Sequence, residues 1–262
     1  MEDSAIYISS LNGQDMTYYM SNFDHSEYHK GASGEYLKII VFGGLDGIVT
    51  IFAIISGCIG ASIDPIKIIF IGLGNLFADG LSMGLGEFAS HKAEMDYIDS
   101  EMKRETWEIE YFPEEEKNEM YNIYTTRYGF SDEDAKSLVN LTFKNKRFFL
   151  EHMMVEELGL IANGDDKSSP VKRALIMFLS FMIFGIIPLV GFSLSILVPH
   201  TDYLKTIQSL TTGLSSITSL SVLGYFKGYF VGNKPLLSSL TMVATGVLAG
   251  GAAFCIGILC PT

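Results

Sequence analysis

Five stretches of this sequence are long and apolar enough to cross a bilayer, and they leave few folds open. Ala174–Pro199, Thr206–Phe226 and Pro235–Leu259 carry no charged residue, Ile39–Gly60 carries only Asp46, and Ile66–Phe88 carries Lys67, Asp79 and Glu87. A spanning helix needs roughly 20 predominantly apolar residues, so each stretch reads as one. Helices buried in a soluble core are the weaker alternative, because three such blocks lack any charge. The expected fold is therefore all-α, a polytopic membrane protein with five transmembrane helices. The composition agrees: 48% of the residues are hydrophobic, and the mean hydropathy is +0.29.

The boundaries divide the chain into four parts. Residues 1–35 form an acidic tail, 36–90 transmembrane helices one and two, 91–169 a polar helical domain, and 170–262 helices three to five. The net charge of −12 is concentrated in the polar parts; residues 91–170 alone carry 10 Lys and Arg against 19 Asp and Glu. Such a balance points to cations as partners and away from nucleic acid. Cys58, Cys255 and Cys260 all lie in or beside apolar blocks and have neither metal spacing nor a disulfide framework. His25 and His29 stand one helical turn apart on the tail, a spacing that can hold a metal but is commoner as two surface histidines. The lack of a nucleophile–base constellation or a phosphate loop argues against an enzyme.

Chemistry-bearing residues gather on the second membrane helix and its continuation. No Gly or Pro lies between Glu87 and Pro113, so one helix is expected to run out of the membrane into water. Glu87, Glu94, Glu101 and Glu108 recur every seven positions, with Glu105 on the same stripe and Met83 one turn below Glu87. Asn75, Asp79, Met83 and Glu87 step by four and form a spiral ridge. Asp46 lies about eleven residues into the first membrane helix, among Gly43, Gly44 and Gly47. An intramembrane charge costs about 2.5–3.5 kcal/mol on the insertion scale and is a functional candidate by default. A thioether favours softer cations than Mg²⁺ or Ca²⁺. Asp46, Met83, Asp79 and Glu87 are thus candidates for a transport path. Taken alone, each has a plainer reading: Met83 as core packing, the acidic face as a solvated one.

Beyond the membrane, Pro113 followed by Glu114–Glu116 opens a second helix expected to reach Gly129. Ser131–Asp134 caps a third that is expected to run unbroken to about Leu158. Its far end, EHMMVEEL, places Met153 and Glu157 four apart, and likewise His152 and Glu156. Lys92, Lys172, Arg173, Lys227 and Lys234 outnumber Lys67 and Lys205 at the helix ends, which puts residues 90–170 and the N-terminus in the cytosol.

Four motifs together resemble the vacuolar iron transporter family: GGLDG in helix one, DGLSMGLGEF in helix two, FPEEE, and MMVEEL before helix three. The resemblance covers residues 36–262. It implies five membrane helices, a homodimer, a cytosolic three-helix metal-binding domain between helices two and three, and antiport of Fe²⁺ against H⁺ into an acidic store. It also implies that Asp46 and Met83 line the path, and that Glu105, Glu108, Glu116, Glu119, Met153 and Glu157 bind metal. The tail is outside the family pattern.

The expected function is a proton-coupled Fe²⁺ antiporter of an acidic, vacuole-like organelle or the endoplasmic reticulum, for storage and detoxification. Mn²⁺ and Zn²⁺ are alternative cargoes, H⁺ is the counter-ion, and no prosthetic group is expected. The competing readings are a Mn²⁺ or Ca²⁺ transporter and a membrane-anchored metal sensor or buffer. Because one Asp and one Met are too few ligands to strip water from Fe²⁺, a two-fold dimer is expected to bring two copies of each together. The Gly43–Gly47 face of helix one is expected to form that interface.

Overall fold

The computed structural model describes residues 31–161, 169–197, 203–232 and 234–260; His25 and His29 lie outside them. Among the described residues there are eight α-helices and no strand: α1 (Gly31–Gly60), α2 (Pro65–Tyr111), α3 (Pro113–Thr126), α4 (Asp132–Phe143), α5 (Lys146–Glu156), α6 (Pro170–Ile196), α7 (Leu204–Val231) and α8 (Pro235–Ile258). Four of them, α1, α2, α6 and α8, are long and apolar enough to cross a membrane. The fifth expected span, α7, has 28 residues, but its Ser and Thr content lowers its hydropathy. Its hydroxyls bond back to carbonyls in their own helix, as Thr212 and Ser216 do at 2.8 and 2.7 Å.

The long α2 follows from its ends. Asp64 caps it by accepting from the N–H groups of Ile66 and Lys67 at 3.0 and 3.4 Å, and Pro65 occupies the first position, where its missing N–H costs nothing. Nothing interrupts the helix before Phe112. Its 47 residues extend ~70 Å, more than twice a hydrocarbon layer of ~30 Å, and its C-terminal half forms a head with α3, α4 and α5.

The expected third helix of the head is broken in two. Asn145 sits at φ −112, ψ 92, and its side chain accepts from the N–H of Phe148, starting α5 afresh. An Asn competes for backbone bonds in this way more readily than it extends a helix. The other caps lie where the sequence places them, with Ser131 accepting from Asp134 at 3.2 Å and Gly129 and Gly159 at positive φ.

Within the membrane part, α1 is central. Ile51, Ile55 and Ile59 pack with Ile68 and Leu76 of α2 and with Phe181, Leu189 and Phe192 of α6. Ile48 joins Leu220 and Leu223 of α7 and Met242 of α8. The glycine face of α1 is occupied within the chain, contrary to the expected dimer interface. A Cβ on Gly47 would lie 2.5 Å from the Phe181 carbonyl, one on Gly43 3.0 Å from that of Met177, and one on Gly44 2.8 Å from the Phe184 ring. The small residues do permit close helix approach, but the helix that approaches is α6. Ser180 of α6 also donates to the Ile40 carbonyl at 2.7 Å.

Replacing Gly47 by Ala should therefore push α1 from α6 and destabilise the protein by about 1–3 kcal/mol, seen as a lower melting temperature in detergent. The same change at Gly74, with nothing within 4 Å of its Cβ position, should be neutral. Equal melting of the two variants would show that the close α1–α6 approach is not required.

Candidate metal centre

Three helices of the head each end an apolar stripe in a glutamate. On α2, Glu105 lies one turn from Ile109, and both are buried. On α3 the buried face is Glu116, Met120 and Tyr124. On α5, Phe149 and Met153 are buried, and Glu157 follows one turn on. Ile109, Met120, Tyr124, Phe149 and Met153 form one core with Ala135 and Val139. The carboxylates are thus carried to the end of that core by the same four-residue spacing that builds it.

There they converge. One ligand atom from each of Glu105, Glu116 and Glu157 lies within 4.8 Å of the others, a spacing that suits a shared cation. Glu105 is 1% exposed and Glu116 4%. One oxygen of each of the three, Oε2, is buried without a hydrogen-bond partner. Such burial is costly for an ionised carboxylate, and the acids respond by holding protons. Burial, then the charges of Glu119, Glu105, Glu108 and Glu157, push Glu116 up to about 7. Burial, then Glu105 and Glu119, push Glu157 up to about 7, with Arg104 opposing. Burial also raises Glu105, against the pull of its hydrogen bond from Arg104.

The remaining sequence candidates take distinct places. Glu108 and Glu119 act on the cluster through their charges, and Glu119 is also hydrogen-bonded to Glu157. Met153 lies fully buried in the adjoining core. The alternative pair on α5 faces elsewhere. Glu156 accepts from the Tyr128 hydroxyl at 2.5 Å and pairs with Arg127 at 3.7 Å, while His152 stacks on Tyr124 and Phe148.

In the membrane part, Asn75 donates to Asp79 at 2.7 Å, and Asp46 lies within charge range of Asp79. Met83, one turn from Asp79, packs with Met182 against the α1–α2–α6 core. Glu87 is paired with Arg173 of α6, whose Nε and Nη2 stand 2.9 and 2.8 Å from the same carboxylate oxygen. The acidic stripe alone does not reveal two arginines that pair with it. In the sequence Arg173 is only a basic helix end. Arg104 is visible as the base three residues after Glu101 and four before Glu108. It pairs with Glu101 and Glu105 at 2.9 Å each and with Glu108 at 3.8 Å. The stripe is not a free acidic surface, since Glu94 in turn faces His91 at 3.5 Å.

The VIT family profile matches residues 37–258. The chain belongs to the VIT family. It is 50% identical over 236 residues to a vacuolar iron transporter of Plasmodium falciparum, covering 90% of this chain and 85% of that protein. It is 49% identical to one of Toxoplasma gondii over 90% of this chain and 78% of the relative. A vacuolar iron transporter of Arabidopsis thaliana shares 33% identity over 88% of each. This VIT family member is accordingly a membrane protein and not an enzyme, as its sequence indicates.

The raised carboxyls make stability pH-dependent. Ordinary glutamates titrate near 4.5, whereas Glu116 and Glu157 hold their protons to about 7 in the folded chain. The folded state thus binds more protons between these values, and the stabilisation is complete below the lower one and lost as the pH rises through the upper. Without metal, the melting temperature of the head should fall between about pH 5 and pH 8, followed by circular dichroism. Glu116→Gln should flatten that fall; an unchanged profile would mean that Glu116 does not titrate there.

Proposed function

We propose that this VIT family member carries Fe²⁺ from the cytosol into an acidic, vacuole-like organelle in exchange for H⁺, so that iron is stored and kept from harm. The observation that carries this reading is the convergence of Glu105, Glu116 and Glu157, each with a buried oxygen lacking a partner. The naming of its relatives as vacuolar iron transporters supports iron as the cargo. In this reading α7 is the fifth span, and the head and N-terminus are cytosolic.

The head collects the ion. Glu105, Glu116 and Glu157 give it oxygen ligands, Glu108 and Glu119 add charge and further oxygens, and Met153 supplies a thioether suited to a late first-row cation. Arrival of a divalent ion expels the protons held by Glu116 and Glu157, since a carboxylate oxygen cannot serve both. Asp46, Asp79, Met83 and Glu87 then pass the ion through the membrane. Asp46 is the group at which metal and proton alternate. Fe²⁺ requires roughly four to six ligands, and one Asp and one Met fall short. A two-fold homodimer doubling the set is therefore part of the proposal, formed through a face other than Gly43–Gly47.

Reconstituted in vesicles with an acidic interior, the wild type should take up Fe²⁺ and release protons outward. Asp46→Ala and Met83→Ala should each cut uptake by an order of magnitude or more while metal binding by the head persists. Wild-type binding without uptake would favour a membrane-anchored sensor or buffer. Undiminished uptake in both variants would remove these residues from the path.

A further inference from the structure

Among the described residues, Arg104 is the cation placed against the cluster. Its Nη2 donates to Glu105 Oε1 at 2.9 Å and lies 2.9 Å from Glu101 Oε2, and its Nε stands 3.8 Å from Glu108 Oε2. Its charge is also felt at Glu157. Glu105 is almost wholly buried, yet the arginine side chain is 50% exposed, so the guanidinium reaches the cluster from the rim with a way back to water. Glu101, 14% exposed, is a carboxylate outside the proposed ligand set that can keep hold of Arg104 when Glu105 lets go.

The geometry points to Arg104 as a tethered counter-cation that occupies Glu105 until a divalent metal ion takes its place. This rests on the reading of Glu105, Glu116 and Glu157 as a metal site. Binding is then an exchange of one cation for another. The metal must break a charge-assisted hydrogen bond and enter against a neighbouring positive charge, so the site holds the ion more weakly than its carboxylates alone would. A site that collects an ion for onward passage needs that weakness, because a tighter one would retain it. Arg104 touches a ligand and sets affinity through it; it is a positioning residue.

The test is Mn²⁺ binding by the purified full chain in detergent, measured by calorimetry at one fixed pH. Arg104→Gln should bind on the order of tenfold more tightly, between the worth of an exposed ion pair and that of a charged hydrogen bond. Arg104→Lys should return affinity toward the wild type. Lys103→Gln makes the same charge change at an exposed neighbour and should alter nothing. The Mn²⁺-induced rise in melting temperature should also be larger for Arg104→Gln, a readout that holds even if the metal-free variant is less stable. Unchanged or weaker binding by Arg104→Gln, or equal tightening by Lys103→Gln, overturns the proposal. Glu105→Gln combined with Glu116→Gln separates the two levels. If it weakens binding while Arg104→Gln has no effect, the site stands and only the role of Arg104 falls. If it leaves binding intact, the site reading fails and the exchange fails with it.

Discussion

An uninterrupted α2 is the constraint on which the rest of the structure depends. Its backbone runs from the Asp64 cap to Phe112, so Asp79, Met83, Glu87 and Glu105 are points on one rod. Their spacing is fixed by the rise per residue. Most helical stability in a protein comes from tertiary packing, and this helix is held by packing at both ends. Leu76 and Ile68 lock it to α1 and α6, and Ile109 locks it into the head. Asp79, Met83 and Glu87 therefore cannot move independently of Glu105 unless this helix bends.

The head shows how a small helical core can hold a charged site. Its apolar stripes bury Ile109, Met120 and Met153, and each is extended by one turn to a glutamate. The core supplies the ordering free energy, and the carboxylates are carried with it. What they lose in hydration is offset in three ways: protons on Glu116 and Glu157, the Arg104 hydrogen bond to Glu105, and exposure at Glu119. None of these satisfies the three buried oxygens. A divalent cation shared by the three glutamates would relieve their mutual repulsion.

Much of this was legible along the chain because it depends on local rules. The Asp64–Pro65 start, the long run without Gly or Pro, the Ser131 cap and the four-residue spacing of Met153 and Glu157 each announce themselves within a few residues. The features that were not legible depend on which element lies opposite. Gly43, Gly44 and Gly47 signal a close approach but not the identity of the neighbour, which is α6 and not a second copy of α1. Glu87 reads as one more acid on a stripe until α6 brings Arg173 to it from 86 positions away. The break at Asn145 was local and readable in principle. It was hidden because FKNKRFFL holds no Gly or Pro, and one capping residue among helix-forming Lys and Arg is a weak stop.

The acidic ridge of α2 therefore behaves differently from its sequence. Read as a list, it is a surface of free negative charge that would attract any cation at long range. In the fold, Glu87 is paired with Arg173, Glu94 faces His91, and Glu101, Glu105 and Glu108 share Arg104. One guanidinium shared by three carboxylates leaves the ridge negative, so it keeps a cation-attracting field that salt screens beyond about 10 Å. The carboxylates also discriminate at contact, because a divalent ion that coordinates an oxygen directly can displace an ammonium or guanidinium group that only hydrogen-bonds to it. Internal pairing thus adds selectivity at short range to attraction at long range. Pairing with Arg104 also reduces the repulsion that Glu105 would otherwise exert on Glu116 and Glu157.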